Sequence, residues 1–505
     1  MRASNRRWLP TGPALLAAGL AMSAIWGLAY SRPWWLWHHY PTPDLRPVLA
    51  SAGEIALYGA TLPLLFALYA GATWLAGRGT SPWADAVALA MPVLFLALLL
   101  PTLPATSSDV HHYVMEGRTL WVYGDNPLVR PPSSYPQDPY LHYVPPWHQD
   151  APAPYGPLWA LLTGLPSLLP QGRPEAVLLG YKALAALFFL ATAVLLWLAL
   201  GPAGPGQRRR GLLLYAWNPL LLMAAAVDGH NDPAMMFFLV GAVVAVGRGR
   251  WALSLPLAVL GALSKYVGAL VGPLLLVHGW RRAGRGSRGG LLLGLALAVS
   301  LGLGLMAPFW EGPDTFRALQ HDPRSWFANS LAEVALLGLA KLLPLGQAMG
   351  IARALAAVGF LVPYLLLLGR LRGDGRGVPW AAYQALFLYL TVGSTVFYHW
   401  YLAWVVPLAA LLVGDPWRLP ALLLSFTASF LPLIERMVVH LRFLQGDTGM
   451  QALVTVAVVL LPALLLWGWL AWRQWGWRLW ELSPPAATAA VGPGPGQPAE
   501  GRQQW

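Results

Sequence analysis

One stretch of the chain carries acid–base side chains at helical spacing. The letters SSDVHHYVMEG resemble a helix start, with Asp109 in its first turn. On such a helix Asp109, His112, Tyr113 and Glu116 share one face, because they stand at i, i+3, i+4 and i+7. A carboxylate beside an imidazole and a phenol is suited to taking a proton from a hydroxyl group. The simpler alternative is that Asp109 caps the helix and the other three form a solvated face.

A single lysine marks a second place where chemistry is expected. Lys265 is the one charged residue in the apolar block from Trp251 to Trp280. An ammonium group within such a block is costly and is functional by default. The alternative is that its long side chain extends to the membrane surface.

Other polar residues occur in short motifs next to apolar segments. His230 and Asp232 belong to GHND, where a helix-capping role is the simpler explanation. His399 and Trp400 begin HWYLAW, whose aromatic residues also suit a membrane interface. We include the exposed-loop cations Arg130 and Arg324 and, for stacking on a sugar ring, Tyr155 in APAPYGPLW.

The composition indicates which kind of elements must position these residues. Of the 505 residues, 57% are hydrophobic and only 11% are charged, against about a quarter charged in soluble proteins. We therefore predict an all-α, polytopic membrane protein. Its net charge of +12 lies in arginines between apolar blocks, which the positive-inside rule explains better than binding of nucleic acid. No cysteine is present, which excludes disulfides and thiolate chemistry.

Apolar segments and arginines together predict about fourteen transmembrane helices with a cytoplasmic N-terminus. Asp109 then follows the third crossing, outside the cytoplasm. Gly156 to Leu169 is shorter than the roughly 20 residues of a span, so we expect an interfacial helix on the outer surface. The block from Trp251 to Trp280 is too long for one span and basic at both flanks, which predicts two arms bent near Lys265.

Six parts result from this topology. They are N-terminal membrane helices (1–104), an extracytoplasmic catalytic loop with interfacial helices (105–175), membrane helices carrying GHND and Lys265 (176–309), a second extracytoplasmic segment (310–350), C-terminal membrane helices (351–482) and a disordered cytoplasmic tail (483–505).

Four motifs in order resemble the GT-C glycosyltransferases, most closely the polyprenol-phosphate-mannose-dependent α-mannosyltransferases. They are SSDVHHYVMEGRTLWVYGDNPL, APAPYGPLW, WNPLLLMAAAVDGHND and SKYVGALVGPLLL, and HWYLAW is similar to a fifth. The resemblance implies a GT-C fold with Asp109 as catalytic aspartate. It also implies a polyprenyl-phosphate donor whose phosphate binds Lys265, with Arg130 as a second cation.

The resemblance further implies an inverting transfer of a hexose, with mannose favoured, to a glycan or glycolipid on the extracytoplasmic side of the cell membrane. Substrate contacts are expected from His112, Tyr113, Glu116, Tyr155, His230, Asp232, His399 and Trp400. The pair His111-His112 departs from the family pattern. These two side chains diverge on a helix, so we predict no metal and no other cofactor, with a divalent cation left as an alternative.

Two other functions stay open. A transporter or flippase of lipid-linked sugars would favour ionisable residues at the bilayer midplane, whereas the polar residues here gather outside it. An enzyme of the same superfamily with a pentose donor or a protein acceptor would carry the same residues.

Overall fold

The computed structural model describes residues 11–39, 49, 51–78, 81–170, 172–282, 285–320, 327–371, 377–439 and 448–475. Three predictions lie outside these residues: the cytoplasmic N-terminal segment, the external cation Arg324 and the disordered tail 483–505. The described part is helical and contains isolated β-bridges but no β-strand. The predicted all-α fold is therefore confirmed.

The α-helices of six or more residues are labelled in chain order. They are α1 (Thr11–Ile25), α2 (Ala52–Ala76), α3 (Pro82–Leu99), α4 (Asp109–Trp121), α5 (Pro157–Leu162), α6 (Pro174–Ala199), α7 (Pro205–Ala216), α8 (Asp232–Gly247), α9 (Trp251–Ser264), α10 (Gly272–Arg282), α11 (Arg285–Met306), α12 (Leu331–Leu339), α13 (Leu345–Arg370), α14 (Gly377–Leu388), α15 (Val406–Leu411), α16 (Leu419–Ala428), α17 (Leu431–Val439), α18 (Thr448–Thr455) and α19 (Leu461–Trp475).

Within the described residues, eight helical segments are long and apolar enough to cross a membrane. They are Thr11–Ser31, Ala52–Ala76, Pro82–Leu99, Pro174–Ala199, Arg288–Phe309, Leu345–Arg370, Pro416–Met437 and Gly449–Gln474. A ninth is formed if α7 and the following Pro219–Val227, bent by 52°, count as one span. The protein is thus polytopic, and the number fourteen stays a prediction because the other predicted spans are short or broken helices.

Arginines gather at one end of the helix bundle, called the basic end below. Arg209 of α7 pairs with Asp85 in the first turn of α3, with 2.8 Å between Nη1 and Oδ1. Arg248 at the end of α8 donates to the carbonyl oxygen of Leu198 near the end of α6. Arg281 of α10 donates to carbonyl oxygens at the end of α13. These contacts align the helix ends that carry the positive charge.

The helix α9 ends at Lys265, as the length of its apolar block predicts. The Lys265 backbone is extended, with φ −152° and ψ 122°, and a 3-10 turn over Tyr266–Val271 leads into α10. The chain then returns to where it began, because Gly279 of α10 lies against the ring of Trp251. Lys265 therefore lies at the tip of a helical hairpin that begins and ends at the basic end.

Candidate active site

The loop between α3 and α4 is fixed by two buried ionisable side chains from later in the chain, one on α6 and one in the turn before α8. Lys182 of α6 donates to the carbonyl oxygen of Leu100 at 2.7 Å and to that of Thr102. The Asp228 carboxylate accepts the backbone N–H groups of residues 105 to 107. Both side chains are fully buried. These hydrogen bonds fix the backbone immediately before Asp109 and therefore determine where α4 begins.

Asp109 begins α4, and its carboxylate lies between two imidazoles. The Ser107 hydroxyl accepts the backbone N–H of Asp109 at 3.2 Å. One carboxylate oxygen is 3.9 Å from Nε2 of His148, and the other is 3.8 Å from Nδ1 of His230. The Asp109 side chain is 22% exposed, so it remains accessible to a substrate.

The surroundings of Asp109 favour a stronger base than an ordinary aspartate. Burial raises the pKa of the Asp109 carboxyl above its usual value, and His148, when it carries a proton, and Lys265 offset part of that rise. Asp232 adds a smaller contribution that raises the pKa. Lys265 and Asp109 come from separate parts of the chain but share neighbours: the Tyr155 ring lies over the Lys265 ammonium, and the Tyr155 hydroxyl is 3.4 Å from that of Tyr113, one turn of α4 from Asp109.

Lys265 is held by a carboxylate and a box of aromatic rings. Its Nζ is 2.6 Å from Oδ1 of Asp232, which also accepts the indole N–H of Trp404. The ammonium lies 5.1 to 5.4 Å from the ring centroids of Tyr155, Tyr401 and Trp404, within cation–π range. The Lys265 side chain is 13% exposed. The structure therefore joins Lys265 to Asp232 and Tyr155, two residues predicted to bind substrate.

A glycine brings Tyr155 to this box. The Gly156 N–H donates to the carbonyl oxygen of Ser264, and a Cβ at position 156 would lie 2.0 Å from the carbonyl oxygen of Leu263. Any other residue would push the segment away from the tip of the hairpin. The Tyr155 hydroxyl is 3.4 Å from that of Tyr113, whose ring is buried in α4.

His112 and Glu116 form a buried pair on the same face of α4. Nδ1 of His112 is 3.2 Å from Oε1 of Glu116, and Nε2 is 3.1 Å from the carbonyl oxygen of Ala151. Burial raises the pKa of Glu116 well above its usual value and lowers that of His112 to about 3. Burial therefore favours the neutral form of each group, and the Nε2–H of neutral His112 donates to the carbonyl oxygen of Ala151.

His230 and His399 are also buried rather than open to the solvent. The His230 ring stacks on Trp400 with 4.3 Å between centroids, and burial holds its pKa well below the usual value. Nε2 of His399 is 2.9 Å from the Thr106 hydroxyl, which donates to Asp228. In this arrangement His230, Trp400 and His399 position Asp109 and its loop, and their predicted substrate contacts are untested.

Arg130 lies in a different part of the segment between α4 and α5. Its side chain is exposed, and its backbone N–H donates to Asn126. Its positive charge acts on the side chain of Tyr135, whose hydroxyl donates to Asp125. No contact within the described residues joins Arg130 to the Lys265 box, and its role toward a phosphate stays a prediction.

Four residues of the site were not predicted from the sequence. Lys182 could have been predicted from the sequence, because it is a lone ammonium in an apolar helix, as Lys265 is in its own apolar block. Asp228 stands next to GHND, and Trp404 belongs to HWYLAW, so both lie at motifs already noted. His148 has no spacing that links it to Asp109, and only the fold brings it there.

The site offers one accessible base, one accessible imidazole and one accessible cation: Asp109, His148 and Lys265. Among the described residues, no three His, Cys, Asp or Glu side chains lie together so that they could hold a metal ion. The arrangement is suited to removing a proton from a hydroxyl group and to balancing a negative charge that develops nearby.

Comparison with known proteins gives one match to a protein family. The family model described as "Alpha-(1->6)-mannopyranosyltransferase, N-terminal domain" matches residues 14–281, more than half of the chain. That range contains Asp109, His148, Asp232 and Lys265. No curated protein matches the chain.

Proposed function

Because the chain belongs to the alpha-(1->6)-mannopyranosyltransferase family, we propose that it transfers mannose from a polyprenyl-phosphate donor to a hydroxyl group of a glycan or glycolipid. The family establishes a membrane-embedded mannosyltransferase, which uses a sugar donor and a glycan acceptor. The lipid-linked donor, the inversion and the extracytoplasmic side are the proposal.

The proposal rests on one observation: Asp109 and Lys265 belong to the same cluster of polar side chains. The carboxylate begins α4, and the ammonium lies at the tip of the α9–α10 hairpin. Tyr155 connects them, because its ring centroid is 5.4 Å from the Lys265 Nζ and its hydroxyl is 3.4 Å from that of Tyr113, one turn of α4 from Asp109. Transfer from a sugar phosphate needs a base for the incoming hydroxyl and a cation for the departing phosphate. These two side chains supply one of each.

In the proposed reaction the acceptor hydroxyl gives its proton to Asp109 as its oxygen attacks the anomeric carbon. The bond from that carbon to the phosphate oxygen breaks, and its electron pair leaves with the polyprenyl phosphate. Attack from the opposite face converts a β-linked donor into an α-mannoside. His148, beside Asp109 and partly exposed, is placed to pass the proton on to water.

The contact with Asp232 limits the number of N–H donors that Lys265 can offer to a phosphate. The Lys265 ammonium has three N–H donors, and the contact with Asp232 occupies one. A donor phosphate would use the others and would share the ammonium charge with Asp232. This sharing weakens phosphate binding, which helps the product leave after transfer.

The distribution of arginines supports an extracytoplasmic site. The basic end carries Arg209, Arg248 and Arg281, and positive residues favour the cytoplasmic side of a membrane. The loop from α3 to α4 lies at the opposite end of α3 from Asp85, which pairs with Arg209. Asp109 then faces away from the cytoplasm.

The test is to incubate the purified protein with polyprenyl-phosphate mannose, other polyprenyl-phosphate sugars and a nucleotide-linked mannose, with a mannoside acceptor. We expect release of polyprenyl phosphate and an α-mannoside product only with the lipid-linked mannose. Transfer from the nucleotide sugar alone would overturn the proposed donor. A pentose donor or a peptide acceptor that reacts faster would replace mannose or the glycan, and movement of labelled lipid without a new linkage would indicate a flippase.

A further inference from the structure

A groove on the membrane-facing surface near the basic end lies far from Asp109. It has a volume of about 580 Å³ and runs between α2 and α16. Pro63, Ala67 and Ala70 of α2 form one wall, Leu422 of α16 the other, and Leu214 of α7 the floor. The proposed reaction uses none of these residues.

Two arginines stand at the mouth of the groove at the basic end. Arg210 of α7 and Arg418 before α16 both line it, and their positive charges act on each other. Arg210 donates to the carbonyl oxygen of Thr73, and Arg418 donates to that of Asp415. Neither has a carboxylate within 4 Å among the described residues, and Asp415, the acid that acts on Arg418, balances only one of the two charges.

The walls and the mouth of the groove suit different parts of a ligand. Its lining is mostly apolar side chains of membrane helices, which suits a hydrocarbon chain. Two guanidinium groups held together beside apolar surface repel each other unless an anion lies between them, and guanidinium binds phosphate oxygens well. An occupant with an anionic head and an apolar tail satisfies both parts.

The length of the groove matches one leaflet of a bilayer. Its lining along α2 runs from Pro63 to Trp74, which at about 1.5 Å per residue is roughly 16 Å. Half of a hydrocarbon core of about 30 Å is nearly the same length. Phe66 and Phe426 both line the groove, with 5.2 Å between their ring centroids. The exposed indole of Trp74 stands at the mouth, where indole rings favour the headgroup level.

From these features we infer that the groove between α2 and α16 binds an anionic phospholipid, its phosphate between Arg210 and Arg418 and one acyl chain along α2. The site is separate from the sugar-transfer site and does not depend on the proposed donor. A lipid bound there joins α2, α7 and α16 at the basic end.

The test measures lipid binding to the purified full-length protein by native mass spectrometry. Phosphatidylglycerol and phosphatidylcholine with the same acyl chains are compared, because they differ in headgroup charge. We expect phosphatidylglycerol to bind more tightly, and the double variant Arg210→Gln, Arg418→Gln to weaken its binding roughly tenfold or more. The control is Arg473→Gln, an exposed arginine of α19 stacked on Trp469, which leaves binding unchanged.

A second variant tests the groove without changing the charge. Ala70→Trp fills it and is expected to abolish tight binding of phosphatidylglycerol while both arginines remain. Equal binding of the two lipids by the unmodified protein, or unchanged binding in either variant, would overturn the inference. Competition by glycerol phosphate as effective as by the intact lipid would show that only a free anion binds. Preference for polyprenyl phosphate would assign the groove to that lipid instead.

Discussion

Two lysine–aspartate groups lie at the same end of the bundle, and their surroundings differ. Lys182 is fully buried and donates to backbone carbonyl oxygens, while its neighbour Asp228 accepts backbone N–H groups. Lys265 is partly exposed and contacts Asp232 directly, with Asp109 close by. The first group uses its hydrogen bonds on the chain itself, whereas the second leaves the Lys265 ammonium and the Asp109 carboxylate partly exposed.

The difference shows that a charged residue in an apolar segment does not by itself identify a catalytic group. The cost of burying the ammonium requires polar partners in either case. Backbone partners make the residue structural, whereas a side-chain partner at an accessible position leaves it able to exchange that partner for a ligand. The following variants test this distinction.

The largest effect is expected from the acids of the two groups. Asp109→Asn removes the base and should lower kcat by roughly 10²–10⁴-fold with little change in Tm. Asp228→Asn should lower Tm, because the loop before α4 loses a charged acceptor. Asp125→Asn, an exposed carboxylate of the same external segment, is the control. Near-normal transfer by Asp109→Asn would remove Asp109 from the mechanism.

The lysines give the next largest effect. Lys265→Met should lower kcat by roughly 10²–10³-fold, and Lys182→Met should keep near-normal kcat in the folded fraction while losing about 1–3 kcal/mol of stability from unsatisfied carbonyl groups. A loss of stability does not by itself distinguish the two variants, because Lys265→Met also lowers stability by leaving the buried Asp232 carboxylate without its cation.

A double variant therefore sharpens the test of Lys265. Replacing the pair by Lys265→Met and Asp232→Leu should recover the Tm that Lys265→Met loses, since a buried ion pair can be exchanged for apolar residues at little cost. Activity should stay low. Recovery of activity along with Tm would show that Lys265 acts only through stability.

The pH dependence of kcat/KM gives a smaller, directional effect. Asp109 must be ionised to accept a proton, and burial raises its pKa, so activity should fall on acidification at a higher pH than an exposed aspartate would give. His148 lowers the pKa of Asp109; His148→Gln should therefore move the midpoint to higher pH. The control is His142→Gln, at a histidine of the same segment whose ring lies beside that of Tyr143. A midpoint unchanged by His148→Gln would separate His148 from Asp109.

Glu116→Gln should have the smallest effect. Because burial favours the neutral form of the Glu116 carboxyl, an uncharged amide of the same size should change kcat and KM less than about twofold. Glu116→Ala, which removes the polar group 3.2 Å from His112 and leaves a buried cavity, should cost about 1–3 kcal/mol. A KM for the acceptor that rises strongly in Glu116→Gln would instead support the predicted substrate contact.

The sequence predicts elements better than it predicts which elements meet. The helix at Asp109 and the break at Lys265 follow from local spacing and from the length of an apolar block, and the structure has both. The open face expected for α4 is covered instead, because the segment carrying Tyr143, His148 and Ala151 packs against it. Helical periodicity gives the direction of a side chain but not what covers it.

The number of spans shows the same limit. Hydropathy finds apolar segments whether or not they are straight, so α8 is predicted to cross the membrane in the same way as longer helices. The break that precedes α8 at Gly229, with φ +69°, depends on a partner elsewhere, because the side chain of Lys182 lies against Gly229.

Composition and periodicity were enough to predict a polytopic all-α membrane protein, a helix beginning at Asp109 and a hairpin with a lysine at its tip, because these signals act over short distances along the chain. Only in the folded chain do residues near 105, 148, 230, 265 and 400 come together. Those contacts join segments as much as 293 positions apart, and they form where buried charges find partners, which local patterns do not encode.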